Sequence, residues 1–101
     1  MLIHNVYFWV REDASDSELK DFSEALSELC AIDEIESSWV GSPAATPERE
    51  VTDNSFHTHL LLFFPDQAAH DRYQDHADHH RFVDRCKHLW TQVQVKDSTV
   101  G

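Results

Sequence analysis

A chain of 101 residues makes one small domain, residues 1–101, with limited capacity to bury its own surface. Its apolar fraction of 41% is ordinary for a globular chain, which sets disorder aside. With 19 acidic residues against 8 basic ones, a formal net charge of −11, there is no basic footprint, and neither nucleic acid nor an anionic membrane is an expected partner.

Residues 2–11 read as a first strand, an apolar run too short to span a bilayer. The N-terminal stretch also lacks the basic region and small-residue cleavage site of a signal peptide. Ile3, Tyr7 and Trp9 point one way and His4, Val6, Phe8 and Val10 the other, so both faces are apolar. Ser15-Asp16-Ser17-Glu18 has the pattern of a capping box. Leu19, Phe22, Ala25, Leu26, Leu29 and Cys30 then recur at intervals of three and four, which predicts an amphipathic helix over 16–31. A shorter strand runs from Ile35 to Gly41, with Ile35 and Trp39 inward. Residues 42–54 hold Pro43, Pro47 and a run of charges, and are expected to form a mobile surface loop.

The stretch "FHTHLLLFF", Phe56 to Phe64, reads as a third strand, again apolar on both sides, with histidines at its start. Pro65 ends the pairing, and Asp66 caps a helix reaching about 75, with Ala69, Tyr73 and His76 on one face. Asp78 is the expected cap of a further helical segment carrying Phe82, Val83, Cys86 and Leu89 on its buried stripe. The last strand, "WTQVQVK", alternates, with Val93 and Val95 inward. Cys30 and Cys86 lie on apolar stripes and read as reduced core thiols, which fits a cytoplasmic protein.

The order β-α-β-β-α-β, with two central strands apolar on both faces, predicts an α+β, ferredoxin-like antiparallel sheet in the order 4-1-3-2. Right-handed crossovers put both helices on one face. The other face needs cover. Leaving Val6, Phe8, Leu61 and Phe63 in water would forfeit roughly 1.5–3 kcal/mol per side chain. The expected solution is a homodimer, sheet against sheet, enclosing a cavity; a pocket for an apolar ligand or a loop folded across the sheet are the alternatives.

Four elements in order carry a resemblance. They are His4-Asn5-Val6-Tyr7-Phe8, then Thr58-His59, then Tyr73-Gln74-Asp75-His76-Ala77-Asp78-His79, and finally Phe82 with Leu89-Trp90. Across nearly the whole chain this resembles the stress-responsive dimeric α/β-barrel (Dabb) domain family, whose helical signature looks like Tyr-x-x-His-Pro-x-His-x-x-Phe. Ala77 stands where that proline is usual. The resemblance implies the ferredoxin-like fold and a face-to-face homodimer. One branch of the family is a plant polyketide cyclase that works by intramolecular aldol condensation. By motif position its tyrosine–histidine pair falls on Tyr73 and His79, with pocket histidines at His4 and His59. Related dimeric barrels include haem enzymes, but no residue here singles out an axial ligand.

The residues themselves offer three readings. His4, Val6 and Phe8 share one strand face, and His57, His59, Leu61 and Phe63 share a face of its neighbour. With both sets turned inward, they and His76 would line a cavity between sheet and helices for a small apolar molecule. Alternatively, His79 could take a proton alpha to a carbonyl while the Tyr73 hydroxyl donates to the developing enolate, a cyclase or isomerase step needing no cofactor. Thirdly, His57-x-His59 and His76-x-x-His79 have spacings that suit zinc or copper, although no acidic or cysteine ligand has a fixed position beside them. His70, His80 and His88 read as surface residues. Purely structural roles, with His79 bonded to a backbone carbonyl and Tyr73 an ordinary core aromatic, remain open beside all three.

Overall fold

Two apolar strands set side by side can bury a common face only if their register brings like faces together. In a computed structural model describing residues 1–101, β1 (Leu2–Val10) pairs antiparallel with β3 (Thr58–Phe64), placing Val6 opposite Leu60 and His4 opposite Leu62. Strands β2 (Ser37–Gly41) and β4 (Trp90–Thr99) flank them, and the sheet order is β2-β3-β1-β4. Helices α1 (Asp16–Leu29), α2 (Gln67–Asp75) and α3 (Ala77–Cys86) cover one face, and a single 3₁₀ turn, Lys87–Leu89, leads into β4. The predicted topology and the α+β class are those observed. No helix is long and apolar enough to cross a membrane.

The register corrects one expectation. Val6 and Phe8 are not on the uncovered side: with Leu2, Leu60, Leu62 and Phe64 they form the floor beneath the helices, each less than a tenth exposed. Residues directly opposite share a face, so the uncovered side carries Ile3, Asn5, Tyr7 and Trp9 of β1 with His59, Leu61 and Phe63 of β3. Trp39, expected inward, pairs with Leu61 on that same open face and is 57% exposed. Ile35 precedes β2, in a turn closed by its N–H on the Ile32 carbonyl, and packs on the edge of the core. Val93 and Val95 share the helix-side face with Phe8 and Val6 but stay exposed, because β4 is an edge strand beyond the reach of the helices.

Local chemistry explains the helix ends. Ser15 accepts from the Glu18 N–H, and the Glu18 carboxylate accepts from the Ser15 N–H, the full capping box. Phe22, Ala25, Leu26 and Leu29 then meet the sheet. Arg85 of α3 binds Asp21 through two nitrogens and Glu28 through a third, tying α3 to α1 along their exposed edge. Asp66 caps α2 through the Ala69 N–H. The cap of α3 is His76 rather than Asp78: its backbone is extended, and its Nδ1 accepts from the Asp78 N–H at 3.0 Å. That extended residue breaks the α2–α3 run, so the break needs no proline.

Segment 42–57 runs from β2 to β3 across one end of the open face. Phe56 sits edge-on to Tyr7, with ring centroids 5.1 Å apart, and Trp9 Nε1–H donates to Ser55 Oγ. The rest of the face, from Ile3 to Leu61, Phe63 and Trp39, has no cover within the chain.

The geometry at the break makes two stability predictions. Ala77 is the first residue of α3 and follows an extended residue, a position where proline fits both its own φ and its neighbour's ψ. Ala77→Pro should therefore raise the unfolding free energy by about 0.4–1 kcal/mol. His76→Ala removes the cap and should lower it by about 0.5–2 kcal/mol. Urea denaturation of both variants checks the pair; a destabilising proline would mean that the break is not built as described.

Candidate functional site

Under the helices lies a polar cluster that the apolar periodicity does not require. Its members come from four elements: His4 from β1, Asp97 from β4, His70 and Tyr73 from α2, and His79 from α3. His70 and Tyr73 are three residues apart on α2 and so share its inward face. The break at His76 turns the chain so that α3 brings His79 back to α2, with the Tyr73 and His79 rings 4.8 Å apart and edge-to-face at 67°. Phe64 at 5.1 Å and His4 at 6.0 Å complete the surroundings of Tyr73, which is 1% exposed.

Burial decides the protonation states. It raises the Tyr73 phenol well above its ordinary range, with nearby Cys30 adding to the effect, so the hydroxyl stays protonated and able to donate. It lowers His79, helped by the neighbouring imidazoles of His80, His4 and His70, so His79 is neutral near pH 7. His79 Nδ1 is shut off from solvent and has no hydrogen-bond partner in the chain. Burial lowers His4 too, outweighing its hydrogen bond and charge attraction to Asp97, whose Oδ1 lies 2.5 Å from His4 Nδ1.

The remaining sequence candidates lie elsewhere. His59 is on the open face, stacked on Tyr7 at 4.5 Å with its Nε2–H donating to Asn5 Oδ1, and burial lowers its pKa. Leu61 and Phe63 are beside it on that face, whereas His4, Val6 and Phe8 lie under the helices. The residues expected to line one ligand cavity are thus divided by the sheet, and no single cavity between sheet and helices contains them all. His76 is at the surface as a helix cap, and His57 Nδ1 is bonded to Thr58 Oγ1 at 2.8 Å. His57, His59, His76 and His79 therefore do not converge on one point. One group of three metal-competent side chains does converge: His4, His70 and Asp97. Spacing along the chain could not show it, because it depends on the β1–β4 register that sets His4 opposite Asp97.

Fold and cluster together define a ferredoxin-like α+β domain with a histidine- and tyrosine-lined region between sheet and helices. The chain belongs to the stress responsive A/B barrel domain family, whose sequence model matches residues 2–100. It is similar to a Dabb family protein with a ferredoxin-like fold from Mesorhizobium loti, at 28% identity and TM-score 0.78, over 98% of this chain and 95% of that one. A dimeric ferredoxin-like protein of unknown function from Thermobifida fusca superposes with TM-score 0.78 at 16% identity, over 98% and 90% of the two chains. The hydroxynitrile lyase of Passiflora edulis shares the fold at TM-score 0.82 and 14% identity, over 99% and 93%. Curated protein sequences give no significant match.

The depressed histidines fix a pH dependence. His4, His59 and His79 lie below the ordinary 6.5 when folded, so the unfolded chain binds protons that the folded one resists. Their contribution is complete above 6.5 and is lost as pH falls below it, at up to about 1.4 kcal/mol per pH unit for each proton taken up. Three carboxylates held below their ordinary values by hydrogen bonds add losses in the same direction at lower pH. Glu18 is held by the Ser15 N–H and hydroxyl, Asp21 by Arg85, and Asp53 by the Ser55 hydroxyl and N–H. Thermal unfolding should show a midpoint that falls steadily below pH 6.5, with a shallower fall in His79→Gln. A midpoint that is flat across that range, or that rises on acidification, would contradict the burial of these imidazoles.

Proposed function

We propose that the protein works as a homodimer formed through its open sheet face, and that each chain binds a small molecule at Tyr73 and His79. The ligand would have an apolar body and one hydroxyl or carbonyl group. The observation that carries the reading is His79 Nδ1, a buried ring nitrogen without a partner beside the buried phenol of Tyr73. Such an orphan costs about 1–3 kcal/mol, which a ligand's polar group would recover. Leu62, Phe64, Tyr73, Cys86 and Leu89 are all at most 1% exposed, so room for a ligand has to come from a shift of α2 and α3 away from β3.

The dimer is supported by the open face. Ile3, Tyr7, Trp9, Leu61 and Phe63 are only half-buried in the single chain, and Trp39 is more exposed still. The dimeric Thermobifida fusca protein has the same fold. A second reading is cofactor-free acid–base catalysis, favoured by the pairing of a neutral imidazole with a protonated phenol. The Passiflora edulis lyase shows that this fold can carry an enzyme, although at 14% identity it says nothing of the reaction here.

Sedimentation equilibrium should give twice the mass of the chain, and Leu61→Glu, which places a charge in the middle of the open face, should give monomers at the same concentration. A wild-type monomer would remove the dimer. Native mass spectrometry of freshly purified protein should find a retained small molecule, depleted by at least tenfold in His79→Gln and in Tyr73→Phe. Empty wild-type protein, with no thermal shift from aromatic and polyketide-like carbonyl compounds, would remove the site. Exchange of solvent deuterium into the carbon alpha to a bound carbonyl, abolished by His79→Gln, would select the catalytic reading.

A further inference from the structure

His70 has one ring nitrogen accounted for and one not. Its Nδ1 lies 3.1 Å from Asp71 Oδ1, so Nδ1–H donates to that carboxylate and the tautomer leaves a lone pair on Nε2. Nε2 is shut off from solvent and has no partner in the chain. A carboxylate behind an imidazole, fixing its tautomer and raising its basicity, is the arrangement that metal-binding histidines use. The neighbouring ring is His4, 5.0 Å away, which is itself joined to Asp97. One donor atom from each of His4, His70 and Asp97 lies within 4.8 Å of the other two.

We propose that His4, His70 and Asp97 form a binding site for a divalent transition-metal ion, zinc foremost, with its fourth position open to water. Zinc bonded to nitrogen and oxygen at roughly 2.0–2.2 Å holds its donors about 3.4 Å apart, so the site closes with side-chain movements of about 1 Å. Asp97 has the freedom for this, being 42% exposed on an edge strand, while His4 is held rigidly in the floor. The ion takes the place of the proton between His4 Nδ1 and Asp97. His4 stays neutral, its ring proton passing from Nδ1 to Nε2, so the step neither releases nor consumes a proton. An open pocket of about 200 Å³, lined by Leu2, Gln67, His70, Asp97, Ser98 and Thr99, borders two of the three ligands and is the route by which water would reach the fourth position once the ion is held. Two imidazoles and one carboxylate suit zinc, copper or nickel, and are too rich in nitrogen for calcium or magnesium. A net charge of −11 raises the local concentration of cations around the chain.

The test is calorimetric titration of chelator-treated, full-length protein with zinc. One zinc per chain is expected. His70→Ala and Asp97→Asn should each weaken binding by more than 100-fold, with far-ultraviolet circular dichroism unchanged. Asp71→Asn should weaken it by roughly 10–100-fold, because Asp71 acts through His70. His88→Ala, an exposed histidine beside Glu18, should leave binding unaltered. A readout that needs no variant guards against misfolding: zinc should shift the ring proton resonances of His4 and His70 in nuclear magnetic resonance spectra and leave those of His57 in place. Absence of stoichiometric zinc, zinc affinity that survives both His70→Ala and Asp97→Asn, or unmoved His4 and His70 resonances would each overturn the site.

Discussion

Val6 faces Leu60 across the central pair of strands, and Tyr7 therefore faces His59. Everything else about the molecule depends on that register. A slip of one residue along either strand would keep the same composition in the sheet but would set each face of β1 beside the opposite face of β3. The register is held by burial, because it gathers the two helix-side sets into one core layer. Leu2, Val6 and Phe8 alternate in contact with Leu60, Leu62 and Phe64, while Phe22, Leu26 and Leu29 of α1 press on the same layer. What the helices do not press on is left as the open face.

The same layer explains why a polar cluster persists in the interior. His4 occupies a floor position where its neighbours on the same face, Leu2 and Val6, are apolar, and it is tolerated because Asp97 meets it from β4. An isolated buried imidazole would be costly; one bonded to a carboxylate at the sheet's edge is not. Tyr73 and His79 are brought together by a different device, the extended backbone at His76, which lets α2 and α3 lie at an angle instead of continuing as one rod. Had the helix run on, Tyr73 and His79 would be six residues apart on one helix, too far round and along it for the rings to meet.

Much of this is legible in the sequence, and what is not has a common cause. The capping box, the helix stripes and the division of the second helical run near residue 76 are written in local pattern, where each residue's neighbours in the chain are its neighbours in space, and the strand order follows from which two strands are apolar on both faces. The alternation within β1 is also readable. Which face of β1 joins which face of β3 is not, since both strands are apolar on both sides and the period-two pattern has no polar residue to mark the outside. The error over Val6 and Phe8 follows from that. His70 reads as a surface residue because its chain neighbours Asp71 and Arg72 are charged, although its spacing from Tyr73 is the available sign that it turns inward. Asp97 gives no sign of its own: only the pairing of β1 with β4 carries it to His4.

Charge bears on the open face in a way that apolar area alone does not. The chain carries a net charge of −11, so two copies approaching at random meet strong like-charge repulsion. Yet the register places Ile3, Asn5, Tyr7 and Trp9 beside Ser98, Lys96, Gln94 and Gln92 on one flank. On the other flank it places Phe63, Leu61 and His59 beside Ser37, Trp39 and Gly41. Among these strand residues the one formal charge is positive, at Lys96, and no carboxylate is present. The acidic residues lie on the helices, in the connecting segments and, as Asp97, on the opposite side of β4. Carboxylates do reach one end of this face, where Asp53 of the 42–57 segment lies beside Tyr7, Trp9 and Lys96, but none lies among the paired strand residues themselves. Contact through the helices would press Asp21, Glu24, Glu28 and Asp78 against their counterparts. In the homodimer proposed above, sheet-to-sheet contact would therefore meet less like-charge repulsion than contact through the helices, adding to the gain from covering the apolar residues of the face.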